Sequence, residues 1–316
     1  MIDFSALANH QDMLSPGSPE VAQLRADAVM LLTEIDAREN LQTQKVIPLP
    51  AGMWNALYRL EPSGLVVKLS ANDNDFEVNF LRQAAALGVP APQVLGAGRV
   101  QHPTLAEATY FLMTYIPNSI NAWPLVHGQK AMQPDNVEQL GADLGRVLAR
   151  LHSVPLGYIT RFGTRVESWQ ETLTDGFSPN WDDPQPNALF DDKLLPIFKR
   201  ILAQTDYFGF KEGALIHGDL NLSNVLVDAQ THQLSAILDP GGYAGMPMFD
   251  LAYAAMPWDY GWAFHQAMLA SYREQADDFD AALFYASTLV VAYRHNRFHM
   301  QDVKASIFAD ILPHLG

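Results

Sequence analysis

Two different hydrophobic periods alternate along this chain of 316 residues, and the change from one to the other divides it. Residues 18–40, SPEVAQLRADAVMLLTEIDAREN, open with a serine cap and a proline in the first turn, and their apolar positions recur at helical spacing, which predicts one helix. VIPLP, ALYRL and LVVKL then read as short strands, with EPSG as a turn between the last two. Asp73 to Leu87 predicts a helix stopped by Gly88 and Pro90, and APQVLGAGRV and ATYFLMTYI predict two further strands. From Pro134 the period becomes helical: Val137, Leu140, Leu144, Leu148 and Leu151 share one face. His152, after that helix, reads as a helix-end histidine complementing the dipole. Residues 160–190, rich in Pro, Asp, Asn and Trp, read as an irregular insertion before a helix at 191–205; three or four helices are expected from Phe249 onward. The expected architecture is α+β: an N-terminal helical extension (1–44), a small strand-rich lobe (45–117) and a larger helical lobe (118–316).

Composition narrows the possible functions. A formal charge of −15, from 20 basic and 35 acidic residues and without a Lys/Arg-rich run, argues against a nucleic-acid partner. With no cysteine there is no disulfide, thiolate metal site or thiol nucleophile, which suits a cytoplasmic protein. The N-terminus lacks the basic head and apolar core of a signal peptide, and the apolar stretch LFYASTLVVAY is too short to span a bilayer, so no membrane role is expected.

The densest polar stretch is HGDLNLSNVLVD, His217 to Asp228, where a loop rich in histidine, aspartate and asparagine runs into a strand. Asp219 and Asn224 stand in a D-x-x-x-x-N spacing, and Asp239 follows in ILDP at the end of the next apolar run, LSAIL. A hairpin of these two runs would bring the three together. Phosphoryl transfer from a nucleotide needs such a set: one carboxylate at the acceptor hydroxyl, and an amide with a second carboxylate as hard oxygen ligands for Mg²⁺.

HGDLNLSNVLVD followed by LDPGGYAGMPMFDLA resembles the catalytic region of the aminoglycoside phosphotransferase family and its fructosamine kinase and choline kinase relatives. The resemblance implies a bilobal protein-kinase-like fold. It also implies Asp219 as catalytic base, Asn224 and Asp239 as Mg²⁺ ligands, and His217 and Asp250 as braces of the loop. On the nucleotide side it implies Lys68 on the phosphates, with Glu77 as its partner and Lys68 contributing charge rather than core volume. Gly52 and Asn55 would form a loop over the phosphates, and Thr114, Tyr115 and Ile116 a hinge strand offering main-chain groups to the base. ATP and GTP remain alternatives as donor. The acceptor is expected to be an aminoglycoside, amino sugar or ketosamine, and no oligomeric state is implied. Only ten residues separate Asp239 from Asp250, and no A-P-E follows, so a peptide-docking activation segment has no room and the acceptor should be small.

NWDD (180–183) and PWDYGW (257–262) are candidate acceptor-binding clusters, because carboxylates beside aromatic faces suit a cationic amino sugar. Trp258, Asp259 and Tyr260 are the candidates taken from the second. His295 and His299 stand four apart, as zinc ligands do, but Asn296 stands where H-E-x-x-H needs its glutamate, and they read as solvated helix-face residues. A nucleotide-binding pseudokinase with a regulatory role is the alternative from another class; the intact set of Lys68, Asp219, Asn224 and Asp239 speaks against it.

Overall fold

Strand alternation in the first half and close helix packing in the second build two compact units, Met1–Ala86 with Ala91–Pro117 and Leu87–Pro90 with Asn118–Gly316. The structure, a computed structural model, describes residues 2–8, 17–50, 54–127, 132–161, 163–169, 172, 194–203, 209–277 and 279–299; of residues 8, 106, 161, 194, 202, 258 and 294–299 it describes the backbone alone.

In the first unit, α1 (Ser5–Ala8), α2 (Pro19–Ala26) and α3 (Ala28–Glu39) precede β1 (Lys45–Leu49), β2 (Asn55–Glu61) and β3 (Leu65–Ser70); α4 (Asp75–Ala86), β4 (Val94–His102) and β5 (Ala106–Thr114) follow. The strands form one antiparallel sheet in the order β1-β2-β3-β5-β4. Period-two alternation sends Ala56, Tyr58 and Leu60 of β2 inward. There they share one core with Leu24, Leu31, Leu32 and Ile35 of α2 and α3 and with Tyr110 and Leu112 of β5. The helical extension therefore belongs to the core of this unit.

The single helix expected over 18–40 is broken at Asp27, whose backbone (φ −95°, ψ 9°) leaves helical geometry. There Asp27 Oδ2 accepts from Gln23 Nε2 at 2.7 Å and lies 3.3 Å from Nε2 of buried His102. Ser18 caps α2 as expected, accepting the Val21 N–H.

The second unit contains β6 (Ser119–Asn121), α5 (Trp123–His127), α6 (Pro134–His152), the hairpin β7 (Ile159–Arg161) and β8 (Thr164–Val166), α7 (Leu194–Ala203), β9 (Ala214–Leu215), β10 (Val225–Asp228), β11 (Leu234–Ile237) and β12 (Ala244–Gly245). It continues with α8 (Pro247–Ala254), α9 (Pro257–Tyr260), α10 (Trp262–Arg273) and α11 (Ala281–His299). Leu140, Leu144, Leu148 and Leu151 bury the expected face of α6. Gly141 and Gly145, one turn apart, let α10 approach at backbone distance: a Cβ at Gly141 would lie 2.6 Å from Phe264 O, and one at Gly145 2.3 Å from Met268 O. β10 and β11 pair antiparallel as the sequence suggests, and β6 adds a third strand through Leu226↔Asn121 and Val227↔Ile120. Among the described residues no helix is long and apolar enough to cross a membrane.

Candidate active site

In the first unit the site residues centre on Lys68. It lies in the middle of the sheet, opposite Leu57 of β2 and Phe111 of β5, and α4 brings Glu77 over the same face in its first turn. Lys68 Nζ donates to Glu77 Oε1 at 2.7 Å and to Oε2 at 2.8 Å. The residues are 4% and 6% exposed, so Lys68 is a core residue as well as a charge, contrary to the sequence expectation. A buried cation and anion each carry a desolvation cost that pairing offsets. Asn55 opens β2 opposite Ser70, and Gly52 lies outside the described residues. Thr114 and Tyr115 give their N–H groups to Gln93 O (3.0 Å) and Gly64 O (3.2 Å), so two of the three hinge amides are committed inside this unit. Of the main-chain groups expected to meet the base, the Thr114 and Tyr115 amides are taken, because the turn before β3 reaches Tyr115 and the segment before β4 reaches Thr114.

In the second unit two loops interlock. Gly218 adopts φ +79°, a conformation that suits glycine, and a Cβ there would lie 2.5 Å from Gly242 N. A Cβ on Gly241 would meet Asp219 Cβ at 2.8 Å, and Gly242 N–H donates to His217 O at 2.9 Å. The glycines of LDPGG thus allow that segment to lie directly on HGD. On the other side, Leu238 N–H donates to Asn224 O at 2.8 Å, closing the β10–β11 hairpin where Asp239 begins. Asp239 is exposed and adopts φ +57°, in the left-handed region.

Asp250, on α8, lies fully buried behind this arrangement. Its Oδ2 accepts His217 N–H and its Oδ1 accepts Gly218 N–H, both at 2.8 Å, while His152 Nε2 lies 3.1 Å from Oδ2. Burial raises the Asp250 carboxyl, but the His152 and Gly218 hydrogen bonds and the nearby histidines outweigh it and hold the carboxyl below the usual range. The His217 ring is equally buried. Nε2 faces Leu238 O at 2.9 Å and Nδ1 accepts Asp219 N–H at 3.3 Å, which defines a neutral Nε2–H imidazole. Burial pushes its pKa down in agreement.

Asp219 is partly buried and receives three side-chain donors. Tyr253 Oη donates to Oδ1 at 2.8 Å, Asn221 Nδ2 to Oδ1 at 3.0 Å and Asn224 Nδ2 to Oδ2 at 3.0 Å. Burial raises its pKa; the Tyr253 and Asn221 hydrogen bonds pull the other way, the Asp239 charge adds to the rise, and the net shift is upward. Such a carboxylate is suited to accept a proton from a hydroxyl.

Residues 219, 224 and 239 also fit a hard divalent cation. The Asn224 amide nitrogen is bound to both Asp219 O and Oδ2, which leaves the oxygen as the branch turned away from Asp219. The repulsion between Asp219 and Asp239 is of the kind a cation relieves. Among the described residues no three His, Asp or Glu side chains form a metal cage, and a Mg²⁺ held by one amide, one carboxylate and phosphate oxygens requires none.

The sequence reading missed Tyr253, Asn221 and His152. Asn221 falls inside the motif and signals itself only by type, and Tyr253 is one aromatic in an apolar helix. His152 does lie in the last turn of α6, but it is buried, with Nδ1 2.9 Å from Tyr272 Oη as well as its Asp250 contact, and so is no solvated helix-end group.

Of the acceptor candidates, Tyr260 is buried. Its hydroxyl accepts Leu222 N–H at 3.3 Å and its ring packs edge-on to Phe264, so it supports the 221–224 turn rather than offering a face to a ligand. Asp259 is partly exposed, and its carbonyl oxygen lies 3.1 Å from Nε2 of His127, whose ring stacks on Trp123. The side chains of Trp258, His295 and His299, and all of residues 180–183, lie outside the described residues.

The chain belongs to the phosphotransferase enzyme family, whose model matches residues 45–285. Its fold is protein-kinase-like. It is similar to aminoglycoside phosphotransferase APH(4)-Ia (15% identity, 91% of this chain and 98% of that one, TM-score 0.55). It is also similar to a choline/ethanolamine kinase family protein from Mesorhizobium loti (15%, 85% and 87%, TM-score 0.51). At these identities the likeness shows the fold. Over 210 residues, 63% of its length, the chain is 25% identical to mouse acyl-CoA dehydrogenase family member 10, and it spans 18% of that protein.

Proposed function

We propose that the protein transfers the γ-phosphoryl group of ATP to a hydroxyl of a small acceptor, with Asp219 as the base. The observation that carries this reading is the Asp219 carboxylate, oriented by three side-chain donors and packed against the LDPGG segment that carries Asp239. Asp219 takes the acceptor proton as the acceptor oxygen attacks phosphorus. Asp250 holds the His217 and Gly218 amides so that the loop keeps its shape during turnover. Lys68, oriented by Glu77, is assigned to the nucleotide phosphates, with Asn55 and Gly52 at the loop over them and the Thr114–Ile116 backbone at the base. Asn224 and Asp239 would hold Mg²⁺, which when bound offsets phosphate charge.

Support for ATP comes from solved complexes of APH(4)-Ia variants with AMP-PNP or ADP and hygromycin B. The same complexes, with the net charge of −15, favour a cationic acceptor such as an aminoglycoside, amino sugar or ketosamine. A screen of the purified protein with ATP or GTP against aminoglycosides, ketosamines, choline and simple sugars tests the reading. Transfer to one class supports it; nucleotide binding without transfer to any would favour a pseudokinase.

A further inference from the structure

We infer that Tyr253 is a positioning residue for phosphoryl transfer, which with Asn221 fills Asp219 Oδ1 and directs the acceptor hydroxyl to Oδ2. The inference rests on Asp219 being the base. Helix α8 presents Asp250 and Tyr253 three residues apart, on neighbouring positions of one face. Asp250 fixes the loop from behind through the His217 and Gly218 amides, while the Tyr253 hydroxyl reaches the Asp219 carboxylate itself, 2.8 Å from Oδ1. One short helix therefore sets both the backbone of the loop and the rotation of its carboxylate.

The two carboxylate oxygens are not equivalent. Among the described residues Oδ1 accepts two donors, from Tyr253 and Asn221, whereas Oδ2 accepts one, from Asn224. A carboxylate oxygen offers two in-plane lone pairs, so Oδ2 keeps one for the acceptor hydroxyl. In the step itself the acceptor O–P bond forms, the bond from the γ-phosphorus to the β,γ-bridging oxygen breaks with its electron pair leaving on ADP, and the acceptor proton moves to Oδ2. Tyr253 gives up no proton; it keeps the carboxylate from rotating out of line, which is a contribution to orientation.

Tyr253→Phe removes the hydroxyl and leaves the ring. Its test is a cycle of four proteins: wild type, Tyr253→Phe, Asp219→Ala and the double variant. ADP release from Mg-ATP is measured with water as acceptor and with the best acceptor of the screen, and melting temperatures are recorded alongside. The loss of one hydrogen bond to a charged group predicts a kcat lower by about tenfold with the KM for ATP unchanged. In the Asp219→Ala background the same change should have less than about a twofold effect, since the interaction is already gone. An equal fold-loss in both backgrounds would show a merely structural tyrosine and overturn the inference. So would a Tyr253→Phe enzyme of wild-type kcat beside an inactive Asp219→Ala, which leaves the base assignment standing. An Asp219→Ala enzyme of wild-type turnover would overturn the base assignment and this inference together.

Discussion

Asp250 Oδ2 accepts the backbone N–H of His217 at 2.8 Å across 33 residues of chain, and both residues are fully buried. A backbone donor held by a buried carboxylate fixes the position of a loop more firmly than one left to water. Asp250→Asn replaces one accepting oxygen with an amide donor that opposes His217 N–H or Gly218 N–H. It should cost about 1–3 kcal/mol of stability, the desolvation penalty of one unsatisfied buried group, and lower turnover through displacement of Asp219. Denaturant melts and kcat measured on the same preparation check it; an unchanged midpoint would contradict the bracing role.

The buried Lys68–Glu77 pair predicts an asymmetry between breaking it and replacing it. Lys68→Ala removes two charged hydrogen bonds from the buried Glu77 carboxylate and should destabilise the protein by about 3–5 kcal/mol. The double variant Lys68→Met with Glu77→Leu should recover much of that loss and remain inactive. Thermal melts of the two variants, with transfer assays on the double, separate the structural part of Lys68 from its part in catalysis.

Acidification should destabilise the fold. Burial lowers the folded pKa values of His265 and His217 beneath 6.5, so below pH 6.5 the unfolded chain binds protons that the folded chain refuses. Stability from these two groups is fully present above 6.5 and declines as pH falls from there towards their folded values. Melting temperatures measured from pH 7.5 to 5.5 should fall, and His265→Gln should flatten part of the slope. A flat profile in the parent protein would contradict the neutral assignment.

Gly218→Ala places a Cβ 2.5 Å from Gly242 N in a backbone that side chains rarely adopt. The left-handed conformation alone costs about 1–2 kcal/mol, and the contact with backbone adds to it. Gly64→Ala, at φ +67° with nothing within 4 Å of the added Cβ, carries the conformational cost without the clash. Urea melts of the two variants should therefore rank Gly218→Ala as the more damaging.

Much of the site was readable because its chemistry is local. Asp219 and Asn224 sit five residues apart on one loop, and the strand periods on either side fix that loop as one arm of a hairpin ending at Asp239. What was not readable depends on partners far away in the chain. His152 reads as a solvated helix end until Asp250, 98 residues later, is placed against it. The same holds for Gly141 and Gly145, whose purpose is the α10 backbone. Lys68 was legible as a charge in an apolar strand, but its burial follows from α4 closing over the sheet. Tyr260 was misjudged because an aromatic beside an acidic residue reads alike whether it faces solvent or core.

The central claim is that Asp219 accepts the acceptor proton while Asn224 and Asp239 hold the metal. The most direct measurement is the transfer rate of Asp219→Asn at saturating Mg-ATP, set beside a calorimetric titration of Mg-ATP into the same variant. The account predicts turnover reduced roughly 10²- to 10⁴-fold with nucleotide affinity near that of the wild type, whereas Asp239→Asn should weaken the Mg²⁺-dependent part of binding itself. Full turnover by Asp219→Asn, or an equal loss of nucleotide binding in both variants, would contradict it.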